Sequence, residues 1–364
     1  MRAALQAAVD RGERGVQVAA YLDGELIVDD WIGEGVDGDT LFNVFSVTKT
    51  VLIVALHLQA ERGRLDYDGP VARHWPEYGR NGKERITVRH LLTHRAGVPQ
   101  MPEDVTPERM CDWEWMTGRL AGMTPMFEPG TRNTYLAASF GWLAGEVVRR
   151  SDPEGRTLQR FVEDEIFGPL AIDAFFIGLP ASEDHRVATL TYPEPPPAPP
   201  RGSVRARAVP PAIAFTPEVY MREDVRRATL GGAGGIANAR SVARLYAMIA
   251  NRGALDGVRL LSEETVLACL EPRPGFTQVD ETYDAPMPVG MGGFHLHERG
   301  IIGHRPGERV LCHPGHGGSL GYANVANGLA LAVCHNRMVM NPSEPGADAT
   351  FEEVGAAVRE LASA

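Results

Sequence analysis

Ser46-Val47-Thr48-Lys49-Thr50-Val51-Leu52-Ile53-Val54-Ala55-Leu56 places a Ser-x-x-Lys pattern at the head of a strongly apolar run. The run reads as a helix, and residues three apart on a helix share a face, one turn above the other. The spacing therefore brings a hydroxyl and an amine together. A helix N-terminus adds unpaired N–H groups and partial positive charge, which favour an anionic intermediate. Serine becomes an effective nucleophile when a nearby base takes its proton. A lysine in a dry pocket can be that base, because burial lowers an amine pKa from about 10.4 toward neutrality. The same four residues also fit a serine N-cap with an exposed lysine one turn on, so the rest of the chain has to decide.

Upstream, residues 2–12 read as a helix ending near Gly12, and Gln17–Leu22 as a strand. Asp23-Gly24 is a hairpin signal, with Leu26–Val28 and Trp31-Ile32 as the returning strand. The Ser46 helix runs to about Arg62, where Gly63 ends it. Between about residues 65 and 225 strand signals thin out. Helical segments recur there at Val88–His94, Arg109–Ala121, Ser139–Arg150 and Leu158–Ile166. Pro193–Pro211 holds eight prolines in nineteen residues and reads as an extended surface loop. Its Arg201, Arg205 and Arg207 read as solvating groups, and the loop itself as a candidate border of a substrate entrance.

Beyond residue 230 the patterning changes again. Gly231–Gly235 leads into a helix over Ala239–Asn251, and Ser262 caps another. Strand-like stretches follow at Pro288–Leu296, Gly307–His313, Ser319–Val325 and Leu329–Cys334, with Asn327-Gly328 as a hairpin signal. A helix over Ala347–Ala362 comes last. The expected fold class is α+β: an antiparallel sheet built from both ends of the chain and flanked by helices. Residues 1–64 and 226–364 form the α/β body, and 65–225 a mostly helical insertion.

The bulk numbers exclude several function classes. A net charge of −11 argues against nucleic acid or anionic membranes as partners. No apolar run approaches a membrane span, and Asp10, Arg11, Glu13 and Arg14 interrupt the N-terminus before a secretory signal forms. If the chain is complete, this predicts a cytoplasmic protein, with Cys111, Cys269, Cys312 and Cys334 as free thiols. Whether copies assemble into a homo-oligomer is left open.

Two further segments fit with Ser46 and Lys49. In Pro129-Gly130-Thr131-Arg132-Asn133-Thr134-Tyr135, a turn delivers a tyrosine just before an apolar helix. A tyrosine beside an ammonium ionises more easily and can relay a proton to a leaving group. In Cys312-His313-Pro314-Gly315-His316-Gly317-Gly318-Ser319, glycines let a substrate approach the backbone. A backbone N–H at about His316, with that of Ser46, would make an oxyanion site, and His313 would tune Tyr135.

Together these segments resemble the serine β-lactamase-like, penicillin-recognising enzymes over most of the chain. Ser46-Val47-Thr48-Lys49 with Phe42–Phe45 is similar to the first motif, and Leu91–Val98 to the stretch after the nucleophile helix. Tyr135-Leu136-Ala137 falls where that family has Tyr-x-Asn, and His313-Pro314-Gly315 where it has Lys-Thr-Gly or His-x-Gly. Ala137 has no donor or acceptor for a substrate amide, and His313 replaces a carboxylate-binding lysine. Both departures point away from β-lactams and peptides and toward the carboxylesterase branch.

The resemblance implies Ser46 as nucleophile, Lys49 and Tyr135 sharing the base, His313, Gly315 and His316 at the oxyanion and substrate edge, and no metal or cofactor. The expected partner is a small-molecule ester. Acyl transfer to an alcohol, β-lactam or D-amino-acid peptide cleavage, and a non-enzymatic ligand-binding role are the alternatives. Met110, Trp113, Trp115, Met116, Met123 and Met126 line an acyl pocket or form the insertion's own core.

Three other patterns fail on context. Gly317-Gly318-Ser319-Leu320-Gly321 matches Gly-x-Ser-x-Gly but precedes a hairpin, not a helix. Gly232–Ala237 lacks a convincing preceding strand for a dinucleotide site. His295-Leu296-His297-Glu298 does not complete His-Glu-x-x-His, because position 301 is isoleucine.

Overall fold

The computed structural model describes residues 1–296, 308, 310–339 and 347–362; the side chains of 347–351 are outside the description. His297, Glu298 and Ile301 of the rejected metal pattern lie outside the described residues.

The central sheet has five antiparallel strands: β1 (Gly15–Leu22), β2 (Glu25–Gly33), β6 (Val310–Pro314), β7 (Leu320–Asn324) and β8 (Leu329–His335), in the order β6-β7-β8-β1-β2. The two ends of the chain meet at β1–β8, where Val18 pairs with Val333 and Tyr21 with Ala330. Asp23 and Gly24 take φ of 50° and 89° in the β1–β2 turn, as a primed hairpin turn requires.

Side chains alternate across a strand, and the two faces differ in size. One face presents Val16, Val18, Leu329, Leu331 and Val333 to α1 (Arg2–Asp10) and α5 (Ala347–Ala362). The other presents Ala19, Ala323, Ala330 and Ala332. Those small residues let α4 (Ala239–Ala250) lie close enough that a side chain at Gly321 would overlap the Tyr246 ring.

The Ser46 run divides into a single 3-10 turn, Ser46–Thr48, and then α2 (Lys49–Glu61). Lys49 to Leu56 are sealed from solvent all round the helix, as a helix apolar on every face must be. Thr50 and Tyr246 share a hydrogen bond of 2.6 Å that ties α2 to α4. On the other side α2 packs against α3 (Phe140–Ser151).

A second, three-stranded sheet holds the start of the Ser46 turn. It pairs β3 (Phe42–Phe45) with β5 (Gly235–Ala237), and β5 with β4 (Phe175–Ile177). The region read as mostly helical thus contributes a strand, too short to show a period in sequence. Pro288–Leu296 departs from the strand expectation. It forms isolated bridges, Val289 to His295 and His295 to Cys312, because Gly290, Gly292 and Gly293 bend the chain there. Among the described residues no helix is long and apolar enough to cross a membrane. The four cysteines are thiols, three of them buried.

Candidate active site

Ser46 sits where β3 ends, and the chain is forced there. Phe45 has a φ of 44°, a left-handed conformation that costs a bulky residue about 1–3 kcal/mol. Thr48 holds the bend: its hydroxyl donates to the Phe45 carbonyl and accepts from the Gly235 N–H at 2.8 Å. Ser46 opens the turn, so its N–H has no partner within the turn.

Lys49 is fully buried, which removes the exposed-lysine alternative. Its Nζ lies 3.0 Å from Ser46 Oγ, 2.8 Å from the Ala137 carbonyl and 2.7 Å from the Gly232 carbonyl. Among the described residues no carboxylate pairs with it, and burial holds its pKa well below the usual lysine range. A neutral amine fits these three contacts: two N–H groups donate to the carbonyls, and the lone pair accepts the Ser46 hydroxyl proton. Lys83, the other lysine of the chain, is also fully buried. Its pKa is pushed down to about 8 by burial and by Arg80, but its Nζ meets the Arg80 and Met123 carbonyls and the Tyr78 ring, with no serine hydroxyl among its described partners.

The Gly232 carbonyl reaches Lys49 because α3 and the glycine loop touch backbone to backbone. A Cβ on Gly141 would overlap the Gly232 nitrogen. Alanine is the better helix former by about 1 kcal/mol, yet here the clash is with main chain that cannot rotate away. Gly141→Ala is expected to lower stability by about 1–3 kcal/mol, read as a drop in the thermal midpoint; an unchanged or raised midpoint would show that the loop yields freely.

Tyr135 is pinned by its own backbone. The Thr134 N–H donates to the His94 carbonyl at 2.9 Å, the Tyr135 N–H to Asp280 Oδ2 at 2.9 Å, and the Leu136 N–H to His94 Nδ1 at 3.2 Å. The Lys49 Nζ stands 5.0 Å from the Tyr135 ring centre. Burial raises the phenol pKa well above 10, and the Tyr283 and Asp280 charges add to it while a hydrogen bond with Ser46 opposes. Tyr135 therefore rests as a neutral phenol.

His94 accepts at Nδ1, so its proton is on Nε2, which has no hydrogen-bond partner among the described residues. Burial holds it neutral. Asp280 is fully buried, and burial raises its carboxyl pKa while the Tyr135 and Thr282 N–H groups lower it. Sequence reasoning assigned roles to neither residue. The left-handed φ of 54° at His94 is invisible in a single sequence, and Asp280 lies 145 residues from the N–H it accepts.

At the sheet edge His313 is buried, its ring centre 6.3 Å from that of Tyr135 and its Nδ1 2.9 Å from the Pro314 carbonyl. Gly315 lets β6 end against β3, since a Cβ there would overlap the Val44 carbonyl. Its N–H is engaged by the Ser319 carbonyl at 2.6 Å and is not an available oxyanion donor. The His316 N–H has no partner among the described residues. The His316 ring touches Phe45 and Phe215 at 5.8 and 5.2 Å.

The structure brings Ser46, Lys49 and Tyr135 together, with His313 and His316 on the adjoining edge. The profile of the Beta-lactamase family matches residues 1–355.

The chain belongs to the Beta-lactamase family.

Within that family it is similar to the esterase/beta-lactamase LipL of Mycobacterium tuberculosis, at 33% identity over 89% of this chain and 77% of that protein. Among solved structures, a family VIII carboxylesterase superposes with a TM-score of 0.87 and 31% identity, covering 97% of this chain and 95% of that one. A penicillin-binding protein homologue from Caulobacter crescentus gives 0.84 and 30%, covering 98% and 97%.

Ser319 sits in the β6–β7 turn, where its hydroxyl accepts from the His335 N–H, with no helix behind it. The Gly232 segment enters a short strand first, and its use is structural. Met110 and Met116 are buried in the main core, and Trp113 donates to Glu146 at 2.9 Å, while Arg109 and Arg119 cover Trp115. Those side chains pack into the same core as α2 and α4. A cavity of about 750 Å³ opens around His57, Tyr67 and Cys269, and none of the assigned site residues lines it.

Proposed function

We propose that this chain hydrolyses carboxylic esters through an acyl-enzyme on Ser46. The observation that carries the reading is the fully buried Lys49 amine, 3.0 Å from the Ser46 hydroxyl and with no carboxylate beside it among the described residues, where burial lowers its pKa and favours the uncharged base. Tyr135 rests protonated, so Lys49 is the first base. The serine oxygen attacks the ester carbonyl as Nζ takes its proton. The N–H groups of Ser46 and His316 receive the oxyanion.

The tetrahedral intermediate then collapses. The C–O bond to the alcohol breaks, Tyr135 protonates the departing alkoxide, and the Lys49 ammonium returns a proton to the phenolate. In the second half water attacks the acyl-serine, giving up its proton along the same relay. The carboxylic acid leaves and the Ser46 hydroxyl is restored. His94 and Asp280 act through Tyr135 as positioning residues. In this reading residues 65–225 form an insertion that brings Tyr135 to a body made from 1–64 and 226–364. The unpaired thiols support a cytoplasmic location.

The printed name of LipL covers both esterase and β-lactamase, so the decisive comparison is between those substrates. The buried Ala137 methyl offers no hydrogen bond to a β-lactam amide side chain. Purified protein is expected to turn over p-nitrophenyl butyrate faster than nitrocefin by at least about tenfold in kcat/KM, the cost of one unmade hydrogen bond. Faster turnover of nitrocefin would reverse the substrate assignment.

A further inference from the structure

The proline-rich segment borders an open cavity of about 230 Å³ that shares walls with the site. Tyr192, Pro197 and Phe215 line it, together with Tyr283 and His316. Tyr283 meets Tyr135 edge to face at 5.7 Å, and His316 meets Phe45, the residue before the nucleophile. The cavity is therefore one ring removed from the reacting atoms. For scale, a cavity of about 150 Å³ accommodates benzene, so a ring or a short chain fits with room for a further group.

Arg205 is the charged residue in these walls. It rides on a short helix, Val204–Ala208, whose cap Ser203 accepts the Ala206 N–H at 3.2 Å. Its guanidinium lies 5.3 Å above the Tyr283 ring. It is half-buried, and among the described residues no carboxylate pairs with it. Arg222, Arg226 and Arg227, a short way along the chain, are all paired with acids. The aromatic walls bring no compensating charge: burial, with Arg205 beside it, pushes the His316 pKa down to about 3, which keeps that ring neutral. A partly desolvated cation without a counter-ion gains most from a ligand that supplies one, and a guanidinium matches a carboxylate in two parallel hydrogen bonds.

We propose that this cavity receives the part of the ester that carries a carboxylate, and that Arg205 selects such esters over neutral ones. The inference rests on the ester-hydrolase reading and adds the substrate's charge to it. The aromatic and proline walls hold the carbon skeleton, and Arg205, over the Tyr283 ring, takes the anion.

The test compares kcat/KM for two matched pairs of esters, corrected for spontaneous hydrolysis. On the alcohol side the pair is 4-acetoxybenzoate and its methyl ester. On the acyl side it is the mono-p-nitrophenyl ester of adipic acid and p-nitrophenyl hexanoate. At least one pair is expected to favour the carboxylate by about tenfold or more, through a lower KM. Arg205→Gln should erase that preference, Arg205→Lys should retain part of it, and the exposed neighbour exchange Arg207→Gln should leave the ratio where it was. Equal kcat/KM within both pairs in the unmodified protein, or a preference that survives Arg205→Gln, overturns the proposal alone. Absence of any turnover of all four esters, with no labelling of Ser46 by a fluorophosphonate, would sink the ester reading and this proposal with it.

Discussion

Ser46→Ala is expected to reduce kcat for p-nitrophenyl ester hydrolysis by about 10,000-fold or more, the scale seen when the nucleophile of a serine hydrolase is removed. Labelling by a fluorophosphonate should vanish with it. The fold should survive, because the side chain lost makes its contacts with Lys49 and Tyr135, and Lys49 keeps the Ala137 and Gly232 carbonyls. Circular dichroism and an unchanged thermal midpoint, within a few degrees, would establish that. A variant that still labels, or that keeps more than a few per cent of activity, would place the nucleophile elsewhere. Ser319 would then need a base and an approach that the β6–β7 turn does not provide.

Removal of the amine should be nearly as costly. Lys49→Met keeps the length and the apolar stem while deleting the base, and a drop of about 1,000- to 10,000-fold in kcat is expected. The pH dependence gives a second reading of the same group. Burial lowers the native pKa, so an unfolded lysine binds a proton that the native one lacks, between the native pKa and the usual value near 10.5. Stability contributed by this site therefore rises with pH across that window, by about 1.4 kcal/mol for each pH unit, and falls away again as the solution is acidified toward the native pKa. Denaturant titrations of the unmodified chain should show that slope and those of Lys49→Met should lack it. The rate should follow the deprotonated amine, with an acid limb below 10.5 that the variant does not display. Equal slopes in the two proteins would mean that Lys49 is charged in the native state.

Much of the fold was legible because its signals are local. The apolar run after Lys49 is continuous over every face of a helix, so the burial of α2 follows from the sequence itself. Asp23-Gly24 and Asn327-Gly328 fix two hairpins by their turn chemistry, and the sheet joining the two chain ends follows from them. The Beta-lactamase family and serine ester chemistry were legible in the same way, from short motifs in order. The missing parts are closures between distant segments. The Ala137 and Gly232 carbonyls that hold Lys49 lie 88 and 183 residues away from it, and no local pattern marks a carbonyl. β4 is three residues long. Arg205 read as a solvating group because nothing in a proline-rich loop tells which arginine turns inward.

The burial of both lysines reaches beyond catalysis. Every other cation that the side chains provide is arginine or histidine, so the native surface offers no ε-amine at all. Lysine-directed cross-linkers and amine-coupling resins will therefore find no ε-amine to react with on the intact fold. Mass added at Lys83 or Lys49 would then act as a clock for opening, counting the moments when the packing around either lysine parts.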